Sequence, residues 1–299
     1  MTKYVRDPVQ PRRAVPTAEP AVLKLPFWGL SATIAAAFRN DAALTLMARR
    51  LILWFNVIAP VAAILLLQQG RPWWWAVLCV MAAHSVWLFA TLVPSCSWWG
   101  PVMLRLPTTE KKVWITIDDG PHPQDTPALL ALLAAHRAKA AFFIIGERAE
   151  RYPQLVRDIL DGGHEVGDHT YHHPAHWFWF LGRGGMYREI TKGAGILRRI
   201  APELKLRWFR APAGMRNHHA HPVLDEAGLR LVGWSVRGRD GVVQDKSRIV
   251  TRLKRGIRPG AIILMHEGRA DLSGERLAPQ VLGELLEFLK SEGYEAVLP

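Results

Sequence analysis

An acidic pair, Asp118-Asp119, closes the apolar run Ile115-Thr116-Ile117 and leads into Gly120-Pro121, and further along His169-Thr170-Tyr171-His172-His173 carries two histidines spaced i, i+4. One carboxylate of the pair can serve as a hard oxygen ligand while the other stays free as a base. Two histidines at i and i+4 present their imidazoles on one face of a helical turn. Three protein ligands leave room for a water, and a divalent ion such as zinc lowers the pKa of that water from about 15.7 to about 7. Arg210-Ala211-Pro212, Asp240 and Leu264-Met265-His266 add a guanidinium, a further carboxylate and a further imidazole. Together the five segments point to metal-dependent hydrolysis of an amide or ester.

These residues need a scaffold that gathers distant segments. Apolar runs at Val113–Ile117, Ala141–Ile145, Glu165–Gly167, Arg207–Phe209, Leu229–Trp234, Ala261–Met265 and Glu295–Leu298 read as strands. Helical periodicity lies between them: Leu129, Leu130, Leu132 and Leu133 share one face, Leu155, Ile159 and Leu160 another, Ile190, Ile196, Leu197 and Ile200 a third, and Val281, Leu282, Leu285, Leu286 and Leu289 a fourth. Seven strands with intervening helices predict an α/β chain forming a partly closed barrel. Asp118, Asp119, His169, Arg210 and His266 then fall at or just beyond the carboxyl ends of strands, where such barrels build active sites. Asp-Gly alone is an ordinary turn signal. The weight comes from the whole set recurring in one order at strand ends.

The segments resemble the motifs of the polysaccharide deacetylase family, also called the NodB homology domain or carbohydrate esterase family 4. TFDDGP appears as Thr116-Ile117-Asp118-Asp119-Gly120-Pro121, H-S/T-x-x-H as His169 to His173, R-x-P as Arg210 to Pro212 and L-x-H as Leu264 to His266. The resemblance covers roughly residues 110 to 299 and implies a distorted (β/α)7-type barrel. It further implies that Asp119, His169 and His173 hold one divalent metal ion, zinc being the expected one, and that Asp118 is the general base. Arg210 would pair with Asp118 and orient it, His266 would be the general acid, and a backbone N–H after Pro212 would face the oxyanion. Two positions depart from the pattern. Ala213 stands where an aromatic usually follows the proline, and Arg237-Gly238-Arg239-Asp240-Gly241 stands where D-x-x-D-W is usual. Asp240 can still raise the pKa of His266, while Arg237 and the missing tryptophan predict a more basic pocket suited to an anionic group such as a phosphate. Trp177, in His176-Trp-Phe-Trp-Phe180, would stack on a sugar or dip into a membrane interface; an ordinary hydrophobic cluster beneath a loop is the bland alternative.

The first hundred residues lie outside this resemblance. Leu51 to Gln69 is a run of 19 residues without a formal charge, and Pro72 to Met103 a longer one, so each can supply the roughly 20 apolar residues of a membrane span. Trp54, Trp73, Trp74, Trp75, Trp98 and Trp99 lie mainly near their ends, as an interfacial belt would. The chain therefore divides into a basic, partly disordered tail with a possible interfacial segment (1–48), a transmembrane helical hairpin (49–100) and a catalytic domain (106–299). Eight Lys/Arg against three Asp/Glu before residue 51, and Arg105, Lys111 and Lys112 after the hairpin, put both flanks on the cytoplasmic side of the inner membrane. A crossing by the uncharged run Leu25–Phe38 would turn the enzyme to the periplasm instead. The net charge of +12 suits anionic lipid headgroups, and no reader motif supports nucleic-acid binding. Residues 1 to 24 lack the apolar core of a cleaved signal peptide, and Cys79 and Cys96 define no disulfide framework. The expected activity is removal of an N-acyl, expected acetyl, group from an amino sugar in a glycan or lipid-linked saccharide. The competing class is a catalytically silent carbohydrate- or lipid-binding module on the same fold.

Overall fold

The structure, a computed structural model, describes residues 42–299. The tail and the Leu25–Phe38 run lie outside the described residues. Two long helices come first, α1 (Ala42–Gln68) and α2 (Trp73–Leu92), joined by a turn through Gly70, which takes a left-handed φ of 71°. Small residues form the seam between them: Ala59, Ala63, Ala76, Ala83 and Ala90 are buried while Trp54, Val57, Ile58, Val61, Trp73, Leu78 and Met81 face outward. A soluble protein would turn these large apolar groups inward; exposing them around the whole hairpin suits surrounding lipid, where small residues let helices approach closely. Asn56 ties the pair, its Nδ2 donating to Ile52 O at 3.0 Å and to Ala83 O at 3.3 Å. His84 is satisfied within its own helix, Nδ1 lying 3.1 Å from Val80 O rather than bonding to α1. Both helices are long and apolar enough to cross a membrane.

The remaining chain is a curled parallel sheet clad in helices. In chain order the elements are β1 (Lys112–Gly120), α3 (Asp125–Ala135), β2 (Ala140–Ile144), α4 (Gly146–Arg151), α5 (Pro153–Asp161), β3 (Glu165–Asp168), α6 (Arg183–Ile200), β4 (Trp208–Phe209), α7 (Ala220–Ala227), β5 (Arg230–Leu231), β6 (Val236–Arg237), α8 (Lys246–Gly256), β7 (Ile262–His266), α9 (Leu277–Ser291) and β8 (Glu295–Ala296). Seven strands run in the order β5-β4-β3-β2-β1-β7-β6, and β8 pairs with the start of β1. All pairings are parallel. β1 is therefore central, and eight of its nine residues are buried, which is why it reads as a continuous apolar run rather than an alternating one.

The α/β barrel and the four predicted helical faces are present, with one division the sequence conceals. The Leu229–Trp234 run predicted as one strand pairs only over Arg230–Leu231, and a second strand, β6, follows at Val236–Arg237. Between them Val232 bridges to Met103, and Gly233 N–H donates to Met103 O at 2.9 Å. The segment after the hairpin thus fills the gap between β5 and β6. A local apolar run carries no sign that a distant residue will divert it.

Candidate active site

The site begins with a bulge. β1 pairs with β2 in register up to Asp118↔Phe143 and then skips to Gly120↔Ile144, so Asp119 is the extra residue and takes a left-handed φ of 66°. Successive residues of a regular strand point to opposite faces; the bulge re-aims Asp119, and both carboxylates reach the same imidazole. His169 Nε2 lies 3.8 Å from Asp118 Oδ2 and 3.5 Å from Asp119 Oδ1.

His169 follows β3 directly. Its partner His173 joins it by a route other than the helical turn expected from the i, i+4 spacing, because residues 169–173 form a bent loop. Thr170 and His173 have φ of 66° and 55°; the loop is pinned from outside, with Tyr171 N–H donating to Glu189 O and Gly146 N–H to Thr170 O, and closed within itself by His173 N–H donating to Thr170 Oγ1 at 3.1 Å. The rings end 4.7 Å apart, with His173 Nε2 3.3 Å from Asp119 Oδ1. Asp119, Thr170, His173, Ala213 and Arg239 account for five of the six non-glycine residues with positive φ among the described residues. Such strain gathers where surrounding structure holds a functional geometry.

One potential ligand atom from each of Asp119, His169 and His173 lies within 4.8 Å of the others, and their proton inventory favours a cation. His169 Nδ1 sits 2.8 Å from Arg210 O; since a carbonyl only accepts, Nδ1 carries a proton there and Nε2 is the ring nitrogen turned toward Asp119. Burial, then the neighbouring His169, push His173 down to about 3, leaving it neutral. Burial alone would raise the Asp119 carboxyl, but its contacts with His169, His173 and His266 hold it well below the usual carboxylate range. Its Oδ1 is buried with no hydrogen-bond donor. Three ligand atoms thus converge, the Asp119 oxygen among them buried and unpartnered, and these residues fit a divalent ion bound through one carboxylate and two imidazoles.

Around this cluster, Arg210 is fully buried and spends its donors on Asp118 Oδ1 (2.7 Å), Thr116 Oγ1 (2.8 Å), Gly233 O (2.8 Å) and Val232 O (3.3 Å). Asp118 Oδ2 is left toward the histidines. On the opposite flank β7 pairs with β1 so that His266 lies beside Asp118. Asp240 accepts from the His266 backbone N–H at 2.7 Å, and its Oδ1 lies 2.9 Å from His266 Nδ1. Burial would lower the His266 pKa, yet Asp240 foremost, then Asp118 and Asp119, push it up to about 9.

Of the ten candidate residues, seven therefore meet: Asp118, Asp119, His169, His173, Arg210, Asp240 and His266. Ala213 and Trp177 stand in the surrounding loops and Arg237 at the end of β6, and none of the three joins these contacts. Ala213 is exposed at φ 52°; Arg237 is exposed with its guanidinium 5.9 Å from the centre of the Trp234 ring; Trp177 is 66% exposed. Trp234 escaped sequence reasoning. It abuts Gly214 and lies 5.8 Å from the Arg210 guanidinium, filling a wall near the third motif.

A layer beneath the acidic pair also gave no sequence signal. Arg148 donates to Asp119 O, Arg269 Nη2 lies 3.9 Å from Asp119 Oδ2, and Asp125 accepts two bonds from Arg276 and one from Gly268 N–H. Glu267 is 1% exposed, with Oε2 held by Thr126 Oγ1 at 2.5 Å and Oε1 unpartnered. Burial drives its pKa up to about 8. A carboxyl whose pKa is higher folded than unfolded stabilises the fold at low pH and withdraws that contribution as pH rises from the unfolded value to the folded one. The melting temperature should therefore fall between about pH 5 and 8, and Glu267→Gln, which keeps an acceptor for Thr126, should flatten that fall. Parallel thermal unfolding curves for both proteins across this range would rule the effect out.

The family model for polysaccharide deacetylase matches residues 105–232. A chitooligosaccharide deacetylase from Sinorhizobium fredii is 39% identical over 197 residues, spanning 64% of this chain and 91% of that protein. A peptidoglycan-N-acetylglucosamine deacetylase from Bacillus cereus is 34% identical over 203 residues, spanning 66% and 91%. Among solved structures, a peptidoglycan N-acetylglucosamine deacetylase superposes with a TM-score of 0.59 at 31% identity, covering 66% of this chain and 89% of that one. A CE4 family pseudoenzyme from Bacillus anthracis superposes at 0.58 and 26% identity, covering 65% and 66%. With the motifs, the curled parallel sheet and relatives matched over nine-tenths of their length, the chain belongs to the polysaccharide deacetylase family.

Proposed function

We propose that this chain is a membrane-anchored, metal-dependent deacetylase that removes the acetyl group from an N-acetylated amino sugar in a glycan or lipid-linked saccharide. The observation that carries the reaction is the convergence of Asp119, His169 and His173, within 4.8 Å, beside a second carboxylate held by a buried arginine. A divalent ion, zinc by the donor set, would supply Lewis acidity that polarises the amide carbonyl and makes water nucleophilic near neutral pH. Asp118 takes the proton of the attacking water through Oδ2, its Oδ1 being occupied by Arg210. A backbone N–H after Pro212, that of Ala213, would face the developing oxyanion. His266, charged and oriented by Asp240, gives its proton to the amine as the C–N bond breaks, releasing acetate and a free amino sugar. Arg237 on the rim suits a phosphate.

The pseudoenzyme among the structural neighbours keeps a silent binding module in view, but the intact acid, base and ligand set here supports turnover. The test is direct. Acetate release from N-acetylglucosamine oligomers or a lipid-linked N-acetylglucosamine should vanish on chelation and return with a divalent ion, and His169→Ala should lose both metal and activity. Unimpaired release in a chelated, metal-free protein would sink the proposal. The two crossings of α1 and α2 return the chain to the side it started from, and the basic flanks support a cytoplasmic catalytic domain. A reporter fused after Met103 should therefore read cytoplasmic.

A further inference from the structure

The seam between hairpin and barrel lies at the catalytic end of the sheet. Arg216, six residues after Arg210, is 1% exposed. Its backbone N–H donates to Thr91 O at the end of α2, and its guanidinium donates to Pro94 O and Cys96 O just beyond. Trp99 Nε1 donates to Thr91 Oγ1 at 3.1 Å, and its ring lies 5.6 Å from that of His218. Gly214, at φ 71°, abuts Pro94 so closely that a Cβ would clash. The loop that follows β4 is thus fastened to the base of the hairpin.

Beside it runs the aromatic turn that follows the histidine motif. Phe178 is buried against Phe209, their rings 6.0 Å apart, and Asn217 Nδ2 donates to both Trp179 O and Leu181 O at 2.9 Å. Trp179 lies 6.5 Å from Trp87 of α2. The turn is held firmly from inside and behind, yet Trp177 and Phe180 on either side of Trp179 are 66% and 69% exposed. The depth follows from α2. Its 20 residues rise about 30 Å, and Trp87 sits about 7.5 Å inside its Leu92 end; a bilayer hydrocarbon core is about 30 Å thick. A ring packed on Trp87 therefore lies about 7.5 Å inside the hydrocarbon edge, within the roughly 5–10 Å that an interfacial group enters, and the exposed aromatics beside it border the same zone.

We propose that Trp177 and Phe180 form a wedge that enters the bilayer interface and seats the catalytic mouth on the membrane. The partner is a lipid surface, reached by continuity with the hairpin, and aromatic rings are the side chains suited to that zone. The wedge lies four residues beyond His173, so the site opens beside the lipid. Its substrate is then an amphiphile held in the membrane and bearing the N-acetylated sugar at headgroup level; this part rests on the deacetylase reading above.

The full chain with Cys79→Ser and Cys96→Ala, carrying Phe180→Cys labelled with an environment-sensitive dye, would be placed in phosphatidylethanolamine/phosphatidylglycerol vesicles. Lipid-borne nitroxides should quench it several-fold more than the same dye at Ser291→Cys, at the far end of α9; a wedge of this kind enters about 5–10 Å. Equal quenching at the two positions would overturn the wedge and leave Trp177 as a sugar platform. Phe180→Asp should reduce acetate release from a lipid-linked N-acetylglucosamine in vesicles at least several-fold more than from a soluble N-acetylglucosamine tetramer, and equal effects would overturn the amphiphilic substrate. No release from either substrate by the unsubstituted chain would instead count against the deacetylase reading, while the quenching still decides the wedge.

Discussion

Asp118→Asn is expected to lower kcat/KM for deacetylation by about 10³-fold, the middle of the range for a lost general base, while close to one divalent ion per chain is retained. The reason lies in how the two adjacent carboxylates divide their work. Asp119 is bulged toward His169 and His173, whereas Asp118 gives one oxygen to Arg210 and keeps the other toward the same space. An asparagine there still accepts from Arg210 through its carbonyl oxygen but cannot take a proton from water. The substitution has a structural side effect. Arg210 is wholly buried, and removing the charge of its acidic partner leaves a cation served by neutral acceptors; breaking a buried pair costs about 3–5 kcal/mol. The variant should therefore melt earlier as well as react more slowly. Metal content and circular dichroism below the shifted transition separate the two effects. A folded, metal-loaded Asp118→Asn protein with undiminished turnover would take Asp118 out of the reaction.

The same residues show how much of the site was legible in the sequence. Residue type, order and the family motifs were enough to name the seven groups that meet: Asp118, Asp119, His169, Arg210 and His266 each close an apolar strand or begin the loop after it, parallel strands bring their carboxyl ends to one side, and the motifs supplied His173 and Asp240. The route by which they meet was not legible. The i, i+4 spacing of His169 and His173 suggested a helical turn, but the chain uses two left-handed residues pinned by Glu189 and Gly146. Nothing in a five-residue motif encodes a hydrogen bond from another element. Glu267, Asp125 and Arg148 were silent for a related reason: charged residues in loops and helices read as solvated, and only the fold buries Glu267 and Asp125 and brings Arg148 to the Asp119 carbonyl. Two-residue strands such as β4, β5 and β6 are likewise set by their neighbours, not by local propensity. The hairpin was the opposite case. Its lack of charge is a property of composition, so its two helices could be read directly, whereas the fit of its base against the third motif could not.

His266→Ala is expected to reduce turnover by about 10²–10⁴-fold, and Asp240→Asn to move the alkaline limb of activity to lower pH with a smaller loss at neutral pH. The two results test one argument about where a proton resides. A group that donates to a departing amine must hold its proton at the working pH, and an isolated imidazole, with a pKa of about 6.5, mostly does not at pH 7.5. Burial of His266 would make matters worse, since it disfavours the charged form. Asp240 outweighs that penalty at contact distance, with Asp118 and Asp119 adding to it, and the pKa rises to about 9. Activity should therefore persist as pH rises through neutrality and decline only as His266 loses its proton. The amide introduced by Asp240→Asn can still accept from His266 Nδ1 and hold the ring, but it brings no charge. The imidazolium loses its strongest support, its pKa falls, and the decline begins at least about one unit lower, each unit being 1.36 kcal/mol of lost interaction. If Asp240→Asn lowers activity equally at every pH, Asp240 positions the ring without setting its charge; if His266→Ala leaves the rate unchanged, the proton reaches the amine from another group.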